Sequence, residues 1–165
     1  MPDPPGTDQP GTSDQRLLAA VFDSWDRNNA VLLGLLRVLP EDALAIRVIE
    51  DGPTVAGSFM HVHSVRLSLV DEGAPEAVAT LPAQEWEDLR DPQLIAQHLG
   101  ESAAAVRRAV RGRLRAERAM DLHYDHPLLM LGHLTWHEGY HHGQIKLALK
   151  LAGRPVTDED AGPVT

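Results

Sequence analysis

The sequence predicts an all-α protein, a four-helix bundle with a long crossover link between its second and third helices. Three observations carry that expectation. Four long segments repeat apolar residues at three- and four-residue intervals. No group of alternating segments exists that could pair into a sheet. Proline and glycine stand where helices begin and stop.

The first 13 residues, rich in Pro, Gly, Asp and Thr, read as a disordered tail. The bundle domain spans 14–153. Its first helix runs from Asp14 to Leu39 on a stripe that includes Leu17, Val21, Phe22, Trp25, Leu32 and Leu36, and Pro40 stops it. Asn28 and Asn29 interrupt this stripe and are expected to face solvent or a partner. Ala45–Ile49 has the look of a short extended piece. Pro53 sets the first turn of a second helix carrying Val55, Phe59, Val62, Val65 and Leu69, which Gly73 and Pro75 end. A link from Asp71 to Asp91 follows. Asp91-Pro92 then forms a cap and first turn for a third helix reaching Ala119. Asp125 or His126, before Pro127, opens a fourth helix that stops near Gly153. Residues 154–165 read as a loose acidic tail.

Composition excludes several functions. The formal charge of -9 argues against nucleic acid as a partner, because phosphate binding needs a basic face. The arginine cluster from Arg107 to Arg118 reads as a solvated helix face. There are no cysteines, so a thiolate nucleophile or thiolate metal site is ruled out. No apolar run is long enough to span a membrane, and the N-terminus lacks a secretory pattern, so a cytoplasmic location is expected. No phosphate-cradling glycine loop or dinucleotide fingerprint is present.

Six of the nine histidines fall between His123 and His142. On a helix, positions four apart drift by only about 40°. His137 and His141 can therefore present two imidazoles to one divalent ion. Zinc or nickel normally takes at least one more protein ligand. His61 is the third candidate, grouped with Phe59, Met60 and Val65 on the apolar side of the second helix; His63 competes. His133 drifts about 80° from His141 and reads as a supporting or core residue. Trp136 and Tyr140, one turn apart, read as core. Glu138 is the candidate general base, able to approach the metal's open position only from the side. His137-Glu138-Gly-Tyr-His141 also spells the H-E-x-x-H helix of zinc peptidases. The longer form of that motif fails, since Gln144 and Leu147 stand where its glycine and third histidine belong. For this alternative the third ligand would be the downstream carboxylate Glu159, which falls in the acidic tail.

The run His137-Glu-Gly-Tyr-His141-His142-Gly-Gln144-Ile145, with Leu147, Leu149 and Gly153 after it, resembles the last helix of the DinB/YfiT-like superfamily. Met60-His61-Val-His63-Ser-Val-Arg66-Leu67 is similar to its second helix. The resemblance covers residues 14–153. It implies a bundle with a three-histidine metal site at His61, His137 and His141, often in a homodimer. It further implies a metal-dependent enzyme, a thiol-S-transferase or hydrolase acting on a small electrophile. Zinc or nickel would be the metal, and mycothiol or bacillithiol the thiol. A bundle that binds metal or small molecules in stress without turnover is the alternative. His142 departs from the arginine common in that family. Arg66 is a candidate for a cofactor carboxylate or for an ion pair with an acidic residue.

Overall fold

Three of the four long helices begin on a side chain that accepts from the helix's own first turn. The computed structural model describes residues 10–78 and 89–161 and places α1 at Pro10–Val38, α2 at Val55–Gly73, α3 at Pro92–Arg115 and α4 at Pro127–Leu151. Thr54 accepts from the Gly57 N–H at 3.0 Å, so α2 starts after Pro53 rather than on it. Asp91 accepts from Gln93 and Leu94, and Pro92 fills the first position of α3. His126, not Asp125, caps α4 through the Leu128 N–H. Gly153, at φ 74°, supplies the left-handed residue that lets the chain leave α4.

The piece at Ala45–Ile49 is not a strand. Glu41–Ala45 is a 3-10 turn, and Arg47 makes a single antiparallel bridge to Thr54. Among the described residues no other strand pairing occurs. A second 3-10 turn, Pro75–Ala77, follows α2. Residues 79–88 and 162–165 lie outside the described residues, as do residues 1–9 of the tail expected at 1–13; residues 10–13 of that tail are instead the start of α1.

The segment after α4 differs from the expected loose tail. Thr157 and Asp160 cap each other reciprocally, and a short helix α5, Asp158–Ala161, results. It returns to α1, where Arg37 donates to the Ala161 carbonyl at 3.0 Å. A Cβ on Gly34 would lie 2.7 Å from that same oxygen, so the close approach depends on glycine.

The core falls into two apolar clusters. One contains Leu32, Leu36, Phe59, Ile95, Leu99 and Ile145; the other contains Phe22, Trp25, Val70, Val106, Met130 and Leu134. Every long helix feeds both. In each of them a polar residue stands between the two contributions: Asn28 and Asn29 in α1, Arg66 in α2, Ser102 in α3 and Glu138 in α4. This layer is what sequence periodicity missed.

Candidate metal centre

The layer is built around one guanidinium. Arg66 donates through Nε and Nη2 to the two oxygens of Glu138, at 2.7 and 2.6 Å. Its Nη1 donates to Asn29 Oδ1 at 2.9 Å and to the Leu99 carbonyl at 2.8 Å. Asn28 adds a donor to Glu138 Oε2 at 2.5 Å. The guanidinium carbon also lies 5.0 Å from the centre of the Trp25 ring, whose Nε1 donates to the Ala103 carbonyl. Arg66 is 0% and Glu138 1% exposed. A pair this deep is satisfied only while both partners remain; removing one strands a buried charge, at a cost of about 3–5 kcal/mol.

Glu138 therefore stands elsewhere than the sequence suggested. Both oxygens are occupied by N–H donors, and the carboxylate points into the core. Its neighbour His137, about 100° around the helix, is only partly buried and belongs to a different group. Asn28 and Asn29, expected to face solvent or a partner, serve this same ion pair because α1 turns them inward against α2 and α4.

His61 on α2 and His137 and His141 on α4 come together at the open side. Each offers one ring nitrogen, and these three nitrogens all lie within 4.8 Å of one another. The Nε2 atoms of His137 and His141 are 3.1 Å apart. The corresponding ligand spacing on a tetrahedral zinc with bonds of about 2.05 Å is about 3.3 Å. The donor set fits such an ion. The Nδ1 atoms of His137 and His141 are buried without a hydrogen-bond partner, so packing rather than a carboxylate or carbonyl fixes those rings. Burial lowers the pKa of all three imidazoles; for His137, burial and then the neighbouring rings push it down to about 4. They are neutral at pH 7, the state in which imidazole binds metal.

His63 is not brought to this group. It is buried, and its Nδ1 lies 2.8 Å from the His98 carbonyl oxygen. The reason given for choosing His61 is thus reversed: His61 is the exposed residue and His63 the core one. His61 reaches the pair because it lies on the edge of α2 that overlooks α4. His133 is exposed and meets the Tyr124 hydroxyl at 2.5 Å, its ring 6.5 Å from that of His137. Trp136 and Tyr140 are exposed as well, on the outer face of α4 rather than in the core. Gln144 donates to the Tyr140 hydroxyl at 2.7 Å. Glu159, in α5, is not among the grouped ligands.

A cavity of about 590 Å³ opens beside His61, lined also by Arg47, Arg90, Thr54 and Ser64, with Asp51 on the same wall. The arginine cluster of α3 is only partly a solvated face: Arg113 is buried, paired with Glu76 and Asp121, and Arg107 pairs with Asp26. No helix among the described residues is long and apolar enough to cross a membrane.

No curated protein and no solved structure matches this chain. A sequence profile of the DinB family matches it over residues 12–162, which takes in all four long helices apart from the first residues of α1, and both segments that carry the histidine trio. The chain belongs to the DinB family.

Proposed function

We propose that this protein is a divalent-metal-dependent enzyme whose ion, zinc or nickel, is held by His61, His137 and His141. The observation that supports it is the convergence of three neutral imidazole nitrogens, from two helices, beside a cavity large enough for a small molecule. Such an ion, when bound, lowers the pKa of a coordinated water or thiol and supplies a nucleophile near neutral pH. The reaction is thiol-S-transfer or hydrolysis on a small electrophile, with mycothiol or bacillithiol as the thiol in the first case.

The chain's own residues divide the work. His61 lies on the cavity wall and also belongs to the trio, so a molecule in the cavity is presented to the site from the α2 side. Arg47 and Arg90 give that wall positive charge, which suits an acidic substrate or thiol. Glu138 holds α4 in register against α2 through Arg66 and does not serve as the base. The same ion pair speaks against a peptidase, whose helix glutamate must be free to act on water.

Elemental analysis of protein prepared without chelators or nickel resin tests this reading. Near-stoichiometric zinc or nickel is expected, lost in His61→Ala and His137→Ala and kept in His63→Ala, with circular dichroism confirming the fold of each. Protein that stays metal-free after incubation with divalent ions would overturn it.

A further inference from the structure

Two guanidinium groups lie over the ring of Phe22. The central carbon of Arg107 is 5.2 Å and that of Arg111 4.7 Å from the ring centre. Asp26 neutralises the first through its ion pair with Arg107. Among the described residues no carboxylate pairs with Arg111, nor with Arg115 one turn further on. Arg107, Arg111 and Arg115 recur at four-residue steps, so they follow one another along one side of α3. Like charges at that spacing oppose a helix. In a chain of net charge -9 acidic residues are plentiful, yet none is set against this pair.

A cavity of about 280 Å³ opens at this place, between α1 and α3. Buried Phe22 and half-buried Leu18 and Leu114 give it an apolar floor, and exposed Arg111 and Arg115 stand at its rim. No carboxylate lines it, in contrast to the cavity beside His61, where Asp51 stands with the arginines. Along α1 it runs from Gln15 to Phe22, two turns or about 10 Å. Its volume is close to the lower limit of about 300 Å³ for small-molecule sites, so it suits a ligand of few atoms rather than a docked helix. The lining says which kind. Leu18, Phe22 and Leu114 take hydrocarbon out of water. Two guanidiniums one turn apart can share one carboxylate through charge-assisted hydrogen bonds, and the repulsion between them is then relieved.

We infer that the cavity between α1 and α3 is a second binding site, for a small amphipathic carboxylate of the short-chain acyl acid class. The chain lies on Leu18, Phe22 and Leu114, and the carboxylate is held by Arg111 and Arg115. The site shares no residue with the cavity beside His61, so it stands whether or not the histidines bind metal.

Titration calorimetry of the full chain with sodium octanoate tests it, alongside acetate, which has the charge without the chain, and 1-octanol, which has the chain without the charge. Octanoate is expected to saturate a single site and to bind about tenfold or more tightly than either control. Arg111→Gln combined with Arg115→Gln should weaken it by about tenfold or more while helix content persists. Arg47→Gln, in the other cavity, should leave it unchanged. Octanoate should also raise the melting temperature of the wild type and not that of the double variant. No saturable binding of octanoate would overturn the inference. So would 1-octanol binding as well as octanoate, which means an apolar site alone, or loss in Arg47→Gln instead, which puts the acid beside His61. Poly-L-glutamate that binds through Arg111 and Arg115 where octanoate does not would also overturn it, and would assign the arginines to an acidic protein surface.

Discussion

A half-buried imidazole next to two others is held neutral, and that choice couples the fold to pH. The pKa of His137 is about 4 in the folded chain, below the 6.5 of an exposed histidine, and His61 and His141 are lowered as well. Between these values the unfolded chain binds more protons, so the contribution is present above about pH 6.5 and is lost as pH falls towards 4. Metal-free protein is therefore expected to melt at a progressively lower temperature from pH 7 to pH 4.5. In His137→Gln that dependence should be shallower. An unchanged slope would assign the acid sensitivity to carboxylates instead. At this scale the sequence was a partial guide. The His137/His141 spacing is a property of the helix alone and could be read directly. The choice between His61 and His63 required the orientation of α2, and apolar neighbours pointed to the right residue for a reason the structure reverses.

Single elements owe their limits to short-range chemistry, which is why their starts were legible. Thr54, Asp91 and His126 each cap a helix that the sequence placed within a residue or two. Thr54 has a second importance, because its cap fixes the turn that lines the cavity, with His61 two turns further along α2. Thr54→Ala is expected to cost about 1 kcal/mol in urea unfolding. No loss would mean that the backbone bridge to Arg47 suffices to hold that turn. The end of the chain was harder to read. Acidic composition suggested a loose tail, whereas four residues with a reciprocal Thr157–Asp160 cap were enough to form α5 against α1. The outer face of α4 misled in the same way: Trp136 and Tyr140 are as apolar as core residues, and periodicity does not tell which side of a helix is inside.

At the scale of the whole molecule, the bundle could be read from the sequence, and its polar middle could not. Four apolar stripes bounded by caps imply four packed helices, but nothing local says that Asn28, Asn29, Arg66, Ser102 and Glu138 fall at one level. That fact exists only once the helices are assembled. The level also determines how the protein comes apart. Arg66 takes its partners from α1, α3 and α4 at once, so no long helix can peel away without abandoning a charged or hydrogen-bonded group in the interior. Backbone amides near these residues should exchange with deuterium only through global opening, at one shared and slow rate. Those of α5, held by its capping pair and the Arg37 contact, should exchange early. Separate rates for α1 and α4 would show that the ion pair does not join them. A shared rate would mean that the two apolar clusters, distinct in space, melt as one unit because a single arginine spans the boundary between them.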